Sequence, residues 1–411
     1  MFCCRGCATQ LDSPFLDLGM QPLSNRYLKA SELTHMEPFY PLRVFFCPEC
    51  NLVQLEEFQS PESIFGDYTY FSSYSDSWLE HARHYVDGVV KRFGLSERSR
   101  VVEIASNDGY LLRNFVQRGI PSLGVEPARN VAEVARAAGI PTLSKFFGRE
   151  TAREIVAEGG KADLIIGNNV LAHVPDLNDF VGGLSILIAP DGVLTMEFPH
   201  LERLLDENQF DTIYHEHFSY FSLLAVEQVF ASQGMTVWDV DELPTHGGSL
   251  RIYVSPTSSG REVTQRVSDL REREQNAGLR DAATYDAFAE RVRGMRCDLM
   301  DFFIKAKREG KQVVGYGAPA KGNTMLNYCA IRSDFMDYTV DRSPHKQDHF
   351  LPGSHIPIRH PDAISETKPD YVCILPWNLK EEVRKQLAGI SAWGGMFVVL
   401  IPSVSILSDV S

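Results

Sequence analysis

The sequence predicts an α/β protein in which a small cysteine-rich module precedes two domains, each built around a parallel sheet. Five of the eight cysteines lie in the first fifty of the 411 residues. From about residue 81 to residue 255, short apolar runs alternate with helical stretches, and a second series of this kind follows a long helical segment. Such alternation is the pattern of βαβ units, in which helices cover a parallel sheet.

The first region, residues 1–80, contains two CxxC pairs. Their cysteines are Cys4, Cys7, Cys47 and Cys50. Two thiolates at the ends of a tight turn can share one ion, and two such pairs complete the tetrahedral four-sulfur shell that Zn²⁺ prefers. The alternatives are reduced or redox-active turns, and Cys3 could replace a ligand of the first pair. A closed shell leaves no open coordination position, so we expect this zinc to fold the module and not to catalyse a reaction.

The central region, residues 81–260, opens with a strand, a loop of small residues and a helix start in "VVEIASNDGYLL". In α/β sheets this arrangement binds nucleotides. The next two strands also end in polar residues, where a carboxylate can bind ribose hydroxyls and amides can lie beneath an adenine. The candidate cofactor-binding residues are Glu103, Ala105, Ser106, Asn107, Gly109, Glu126, Pro127, Asn168 and Asn169.

Together these features resemble the class I S-adenosylmethionine-dependent methyltransferases. The resemblance implies that Glu103 and Gly109 lie near the methionine end of the cofactor and that Glu126 binds its ribose. An NAD-binding Rossmann domain is one alternative, but it would more often keep glycines at the positions of Ala105 and Asn107. A strand–turn–helix with no ligand is the other.

The segment "DTIYHEHFSYFS", residues 211–222, concentrates titratable side chains. His215 and His217 share a face only if the segment is extended, and no third metal ligand is obvious, which disfavours a metal site. A buried aromatic strand would leave adjacent ionisable groups unpaired, which is costly. We expect a proton-handling group instead, since an imidazole can remove a proton next to a carbonyl and a phenol can stabilise the oxyanion. Tyr214, Glu216 and His217 can fill these roles, with the carboxylate fixing the histidine tautomer.

The order of motifs along nearly the whole chain resembles that of the sugar C-methyltransferases, three-domain bacterial enzymes that methylate a carbon of nucleotide-linked 4-ketosugars. The motifs are the two CxxC pairs, "GDYTYFSSYSDSW", "VEIASNDGYLL", "NNVLAHVPD", "YHEHFSYFS", "THGGSLRIYV" and "GYGAPAKGNTMLNY". This resemblance implies a class I methyltransferase Rossmann-like domain, preceded by the small zinc-binding module and followed by a second Rossmann-like α/β domain at residues 261–411.

The resemblance also implies roles for individual residues. His217 would remove the proton next to the ketone, assisted by Tyr214 and Glu216. Four further residues would reach or line the sugar site: His173, Tyr68, Tyr74 and His246. His173 could instead be a surface histidine, Tyr70 or Phe71 could take the place of Tyr68, and the glycines after His246 could mark a bulge or turn.

The C-terminal segment "VVGYGAPAKGNTMLNY" reads as a strand, a glycine loop and a helix that starts near Asn323. Backbone amides at that helix start, with Lys321 and Gly322, could bind a diphosphate. Asn378 closes another strand toward the same sheet edge. The GK[ST] sequence of a phosphate loop is missing, so we expect neither ATP hydrolysis nor NAD binding. A loop retained only for packing is the alternative.

Composition limits the classes of partner. The formal net charge of −14 disfavours nucleic acid, whose binders need a basic surface. No apolar run approaches the roughly 20 residues needed to span a bilayer, and the N-terminus lacks the features of a secretory signal. We therefore expect a cytoplasmic protein with no nucleic-acid or membrane partner, either a monomer or a small homo-oligomer.

The resulting hypothesis is an enzyme with S-adenosylmethionine and a structural zinc as cofactors and a nucleotide sugar as substrate. It would methylate C3 or C5 of a dTDP-linked 4-keto-deoxysugar through an enolate. One alternative is O- or N-methylation of a sugar or small metabolite, which needs a base but no enolate. The other is a zinc-bearing regulatory module that binds the cofactor without turnover.

Overall fold

The computed structural model describes residues 2–60, 72–74 and 76–407, and it confirms the predicted α/β fold. The strands in chain order are β1 (Phe2–Cys3), β2 (Gln10–Leu11), β3 (Leu16–Gln21), β4 (Tyr40–Phe46), β5 (Val53–Leu55), β6 (Val101–Ile104), β7 (Ser122–Val125), β8 (Thr142–Leu143), β9 (Ala162–Asn168), β10 (Ile188–Pro199), β11 (Ser219–Tyr220), β12 (Met235–Leu243), β13 (Ser249–Pro256), β14 (Val313–Tyr316), β15 (Thr339–Val340), β16 (Ile358–Arg359), β17 (Tyr371–Ile374), β18 (Met396–Val399) and β19 (Ser405–Leu407).

The α-helices of the described residues are α1 (Asp76–Phe93), α2 (Arg113–Val116), α3 (Arg129–Ala137), α4 (Arg149–Gly159), α5 (Leu177–Leu187), α6 (Leu201–Asp206), α7 (Leu223–Ala231), α8 (Gln265–Asn276), α9 (Ala282–Arg308), α10 (Ala320–Tyr328), α11 (Ala363–Thr367) and α12 (Lys380–Gln386). None of the helices in this part of the chain is long and apolar enough to cross a membrane.

The chain divides into two compact units. Unit 1 consists of Met1–Asp12, Cys47–His200 and Phe218–Arg280. Unit 2 consists of Ser13–Phe46, Leu201–His217 and Asp281–Ser411. The boundaries at residues 80 and 260 drawn from the sequence remain predictions.

Unit 1 is built around a seven-stranded sheet with the strand order β12-β13-β10-β9-β6-β7-β8. All neighbouring pairs are parallel except those of β13, which is antiparallel to both β10 and β12. The chain runs outward from β6 through β7 to β8 and then continues on the other side of β6 with β9. Open α/β sheets bind ligands at the carboxyl ends of the strands at such a reversal of strand order.

The core of unit 1 explains why its strands read as short apolar runs. Val101, Leu164 and Ile166 on β6 and β9 are fully buried, and they pack in one cluster with Phe115 and with Tyr85 of α1. Strands that are covered by helices on both faces need apolar residues at nearly every position. The seven-stranded sheet therefore follows directly from the sequence pattern.

Unit 2 contains a six-stranded sheet with the order β16-β15-β14-β17-β18-β19, parallel except for the last pair. Its core includes Val314, Tyr338, Ile364 and Ile374, all at most 1% exposed. The strands β3 and β4 form an antiparallel pair in the same unit.

Two helix starts differ from the sequence-based prediction. The helix after the first loop begins at Arg113, because Asn107 and Gly109 have φ angles of 50° and 77°, which a helix cannot include. The helix after the C-terminal glycine loop begins at Ala320, three residues earlier than predicted. Pro319 precedes it, and because proline has no N–H to satisfy, a helix can begin directly after it.

Candidate active site

The four predicted zinc ligands come together in unit 1. The Sγ atoms of Cys4, Cys7, Cys47 and Cys50 all lie within 4.8 Å of one another. None of these cysteines is in a disulfide, and Cys3 is exposed and outside the cluster. The spacing prediction and its register are confirmed, and a four-thiol cluster of this size fits Zn²⁺.

The two cysteine turns have the same backbone geometry. Ala8 N–H donates to Cys4 O and Asn51 N–H donates to Cys47 O, both at 2.8 Å. Ala8 and Asn51, each the residue after the second cysteine of its pair, have φ angles of 63° and 60°. This repeated turn aims both thiols of a pair at one point, which is the arrangement a shared ion requires.

The loop after β6 contains three residues with left-handed backbone conformations. Ala105, Asn107 and Gly109 all have positive φ, so alanine and asparagine take conformations that glycine usually supplies. Gly109 itself has no room for a side chain, since a Cβ there would lie 2.3 Å from Ile140 Cδ1. The loop therefore takes left-handed conformations at three positions, of which only one is a glycine.

Glu126 closes this loop from the end of β7. Its Oε2 accepts from Asn107 N–H and its Oε1 accepts from Ala128 N–H, both at 2.9 Å. Burial raises the pKa of Glu126 above its ordinary value, although these two hydrogen bonds lower it. Each oxygen keeps a second lone pair, so the carboxylate can still accept from ribose hydroxyls. Pro127 follows it at the turn into α3.

Buried polar atoms without a hydrogen-bond partner gather at the carboxyl ends of β6 and β9. Among the described residues they include both carboxylate oxygens of Glu103, Ser106 Oγ, Asp108 Oδ1, Asn168 Oδ1 and Asn169 Oδ1. Burial, followed by the charges of Glu126 and Asp108, raises the pKa of Glu103 well above its ordinary value. Buried polar groups normally have partners, so this concentration fits a polar ligand such as S-adenosylmethionine.

His246 lies beside Asn169 at the same edge of the sheet. Its Nε2 is 2.9 Å from Asn169 Nδ2, and both residues have left-handed backbone. The ring of Trp78 packs edge-on against His246 with centroids 5.2 Å apart. Gly247 also has positive φ, so the glycines of this segment make the turn that presents His246.

His173 ends a short 3₁₀ turn, Leu171–His173, four residues after Asn169. It is half-buried and belongs to the segment that leaves β9. Tyr68, Tyr70, Phe71 and the side chain of Tyr74 lie outside the described part of the chain.

A buried charged cluster in unit 1 escaped the sequence reasoning. Glu197 on β10 accepts from His81 Nε2 at 3.0 Å, from Thr245 Oγ1 at 2.9 Å, and from Arg251. Burial alone would raise the pKa of Glu197, but the His81 hydrogen bond, the Arg251 charge and the Thr245 hydroxyl lower it to about 2. The sequence did contain a sign of this cluster, since Glu197 and Arg251 are charged residues within largely apolar strands.

In unit 2, His217 is oriented by its neighbours in the chain. Its Nδ1 lies 2.9 Å from the Thr212 carbonyl oxygen, and its Nε2 lies 2.8 Å from the Tyr214 hydroxyl. A carbonyl can only accept, so Nδ1 carries the proton and Nε2 keeps the lone pair. In the neutral form of His217 the basic nitrogen is therefore Nε2, which lies toward the phenol.

Glu216 does not fix the tautomer of His217, contrary to the sequence-based prediction. The Thr212 carbonyl does so, whereas both Glu216 oxygens accept from Asn25 Nδ2 at 2.8 and 2.9 Å. Burial raises the pKa of Glu216 to about 7, although the Asn25 hydrogen bond lowers it. The prediction was wrong because adjacent residues of a turn point in different directions.

His215 has a structural role. Its Nε2 is 3.1 Å from the Pro41 carbonyl oxygen, and its ring packs edge-on against Tyr40. Burial lowers its pKa, so the ring stays neutral at physiological pH. Among the described residues, the cysteine cluster is the one group with metal-ligand geometry.

Lys321 and Asn378 are in contact in unit 2. The Lys321 ammonium donates to Asn378 Oδ1 and lies 4.2 Å from the ring centroid of Trp377. Burial lowers the pKa of Lys321 to about 8, although the charge of Asp211 raises it. Asp211 was not predicted from the sequence, and its Oδ2 accepts from Trp377 Nε1 at 2.7 Å.

Gly322 and Asn323 serve the packing of the loop. A Cβ on Gly322 would lie 3.2 Å from Leu375 Cβ, and the loop glycine Gly317 has φ of 84° and abuts Pro376. Asn323 is 1% exposed and donates from Nδ2 to Ser24 O at 2.6 Å. Close backbone packing accounts for both glycines, and diphosphate contact at this loop stays a prediction.

Three regions of the chain match known protein families. Residues 4–65 match the family described as "Putative zinc binding domain". Residues 78–240 match "Methyltransferase domain", and residues 244–402 match "C-methyltransferase C-terminal domain".

Similar proteins were found over nearly the whole chain and over parts of it. The C-methyltransferase NovU of Streptomyces niveus is 37% identical over 405 residues, which cover 98% of this chain and 96% of that protein. The ubiquinone biosynthesis O-methyltransferase of Bartonella tribocorum is 28% identical over 96 residues, or 23% of this chain and 39% of that protein. The magnesium protoporphyrin IX methyltransferase structure from Synechocystis covers 47% of this chain and 88% of its own, at 16% identity and a TM-score of 0.33.

Proposed function

This chain belongs to the C-methyltransferase family, and we propose that its substrate is a nucleotide-linked 4-keto-deoxysugar. Membership rests on 37% identity to a C-methyltransferase across 98% of the chain. The protein is thus an S-adenosylmethionine-dependent C-methyltransferase with an N-terminal zinc-binding module. The sugar, its nucleotide and the roles of individual residues are the proposal.

The reaction type determines what the protein must supply. A carbon accepts a methyl group only when it is nucleophilic, and a carbon next to a ketone becomes so when a base removes its proton and an enolate forms. In a 4-ketosugar these carbons are C3 and C5. The motif order typical of sugar C-methyltransferases supports this substrate class, with dTDP as the proposed nucleotide. An O- or N-methyltransferase would need no such enolate.

The orientation of His217 carries the proposal. Its Nδ1–H faces the Thr212 carbonyl, which leaves Nε2 as the proton acceptor. Nε2 takes up one proton as the substrate carbon loses its own, and the resulting imidazolium is stabilised by the Thr212 carbonyl. A free enzyme with the opposite tautomer would present a donor where the reaction needs a base.

Tyr214 couples proton removal to oxyanion stabilisation. In the resting pair its hydroxyl donates to His217 Nε2 across 2.8 Å. The phenol oxygen takes up the substrate proton as its own proton passes to Nε2, and the new Nε2–H then donates to the phenol oxygen across the same contact. The Tyr214 O–H is then available to the enolate oxygen, so a donor appears as the negative charge develops.

The cofactor-binding residues belong to unit 1. S-adenosylmethionine supplies an electrophilic methyl group on a sulfonium centre. Glu126 accepts the ribose hydroxyls, and Glu103, Ser106 and Asn168 offer the buried polar atoms that lack protein partners. Asn169, His246 and His173 lie at the same sheet edge and are proposed to contact the cofactor or the sugar.

Lys321 and Asn378 are the proposed contacts for the diphosphate of the substrate. A pKa of about 8 keeps the Lys321 ammonium charged at neutral pH. Trp377 and Asp211 position it, and Gly322 and Asn323 shape the loop around it.

A thermal-shift panel of nucleotide sugars in the presence of S-adenosylhomocysteine tests the substrate class. A ligand that binds only the native state raises the melting temperature. We expect dTDP-linked 4-keto-deoxysugars to raise it more than the matching 4-hydroxy sugars. Mass spectrometry of the product should then place the new methyl group on carbon. No shift with any ketosugar, or a methyl group on oxygen or nitrogen, would contradict the proposal.

A further inference from the structure

We propose that Arg5 is a positioning residue through which the zinc cluster holds the loop that carries His173. The importance of this loop for the reaction rests on the proposed function, but its attachment to Arg5 does not. Arg5 lies between Cys4 and Cys7, where an arginine would ordinarily be solvated. Its side chain instead points into unit 1.

The Arg5 guanidinium reaches two separate backbone segments of unit 1. Nη1 donates to Pro175 O at 2.9 Å, two residues after His173, and Nη2 donates to Leu55 O on β5. The carbon at its centre lies 5.4 Å from the ring centroid of Phe218, the residue that follows His217 in the sequence. The donors of the planar fork lie on separate nitrogens, so one guanidinium reaches two carbonyls that lie apart from each other.

The backbone of Arg5 is hydrogen-bonded to Gln54, on the same strand as Leu55. Its N–H donates to Gln54 Oε1 at 2.9 Å, and Gln54 Nε2 donates to Cys4 Sγ at 3.1 Å. Gln54 is fully buried, so both of its polar atoms depend on this cysteine turn. The cysteine turn thus fixes the backbone of Arg5, from which the side chain extends to Pro175 and Leu55.

A second link runs back from the loop to the cysteine turn. Asn178 Nδ2 lies 3.1 Å from Arg5 O and 3.2 Å from Gly6 O. Asn178 is in the first turn of α5, directly after the cap in which Asp176 accepts from Asp179 N–H. The segment from His173 to Asn178 is therefore attached to the zinc module at both Pro175 and Asn178.

Charge explains why an arginine suits this place. The Arg5 guanidinium is protonated at neutral pH, as arginine is throughout folded proteins. A buried cation is costly unless it is hydrogen-bonded and balanced by negative charge. A zinc ion with four thiolate ligands has a net negative charge, and Arg5 is next in sequence to one of those ligands. Zinc loading should therefore favour the seating of Arg5.

The test combines hydrogen–deuterium exchange with zinc analysis in three variants. Arg5→Met removes both donors, Arg5→Lys keeps the charge without the fork, and Asn178→Ala cuts the second link from outside the module. Arg153→Ala, an exposed arginine on α4, is the matched control. We expect zinc content to stay at the wild-type level in all four proteins.

Exchange of the backbone amides at residues 171–178 is the decisive readout, because it needs no substrate. We expect it to rise by about 10-fold in Arg5→Met and in Asn178→Ala, by less in Arg5→Lys, and not at all in Arg153→Ala. With substrate, kcat should fall by about 10-fold while KM for S-adenosylmethionine changes less than 2-fold. Chelation of zinc from the wild-type protein should raise the same exchange.

Unchanged exchange at residues 171–178 in zinc-loaded Arg5→Met would overturn the proposal. Unchanged kcat with raised exchange would also overturn it, since Arg5 would then hold a loop that the reaction does not need. If Arg5→Met loses zinc, the proposal is tested instead with the Asn178→Ala variant, by amide exchange at residues 171–178 and by kcat. Failure of every nucleotide sugar as a substrate would contradict the proposed function alone, because the exchange result stands without it.

Discussion

Glu197 holds Thr245 through a 2.9 Å hydrogen bond from the threonine hydroxyl to Oε1. The backbone carbonyl of Glu197 also accepts from Asn169 N–H at 2.7 Å. One residue therefore anchors both the turn that presents His246 and the asparagine that His246 contacts. The carboxylate is completely buried and is paired with Arg251, which is only 6% exposed.

Replacing Glu197 with glutamine should destabilise the protein. The change leaves the Arg251 guanidinium buried without its counterion, and removing one partner of a buried pair costs about 3–5 kcal/mol. Chemical denaturation measures the loss, and Glu133→Gln, at an exposed site on α3, is the control. We also expect kcat to fall, because His246 loses its support. Equal stability of the two variants would show that the cluster is not a structural anchor.

Zinc content should depend on the four clustered cysteines and not on Cys3. Cys47→Ser removes a ligand from a cluster whose sulfurs lie within 4.8 Å, so we expect loss of zinc and a lower melting temperature. Cys3→Ser changes an exposed thiol outside the cluster and should keep wild-type zinc. Elemental analysis of the two purified variants measures their zinc content. Zinc retained in Cys47→Ser, or lost in Cys3→Ser, would contradict the ligand assignment.

Binding of S-adenosylhomocysteine should weaken when Glu126 becomes glutamine. The carboxylate loses one acceptor for the ribose and one of the two bonds that close the loop to Asn107 and Ala128. Loss of a charge-assisted hydrogen bond is worth about 1.5–3 kcal/mol, so Kd should rise by at least 10-fold. Isothermal titration calorimetry measures this, with Glu133→Gln as the comparison. An unchanged Kd would remove Glu126 from the cofactor site.

Stability should fall as pH rises from about 4.5 to about 8. The pKa of Glu216 is raised to about 7 from an ordinary 4.5, so the folded protein keeps a proton that the unfolded chain releases. The stability tied to the protonated carboxyl is fully present below pH 4.5 and is lost as pH rises through 7. This shift corresponds to a loss on the order of 3 kcal/mol.

The Glu216→Gln variant isolates this effect, since glutamine has a similar shape and no proton to lose. Its denaturation midpoint should vary less with pH between 5 and 8 than that of the wild type. The same slope in both proteins would assign the pH dependence to other groups.

Much of the fold follows from local pattern. The strands of both sheets are buried apolar runs, and the four cysteines are recognisable because thiols at that spacing have few structural alternatives. The left-handed backbone at Ala105 was less predictable than that at Asn107, because asparagine tolerates this conformation and alanine disfavours it. There the tight packing around the loop, as at Gly109 against Ile140, overrides the preference of the residue.

The parts that the sequence did not predict depend on long-range contacts. Glu216 is paired with Asn25, 191 positions away, and no local spacing links them. The tautomer of His217 is set by a backbone carbonyl, which is present at every residue and therefore leaves no mark in the sequence. Arg5 reads as a solvated residue of a turn until its acceptors on Pro175 and Leu55 are known.

The assignment of His217 as the base is tested most directly by solvent exchange of the substrate's α-hydrogen. Enzyme without S-adenosylmethionine is incubated in D₂O with a dTDP-linked 4-keto-deoxysugar, and deuterium is located by NMR. We expect deuterium at C3 or C5 with the wild type and with the His215→Gln control, and a loss of at least about 100-fold with His217→Gln, the usual contribution of a general base. Exchange at the wild-type rate in folded His217→Gln would show that another group removes the proton.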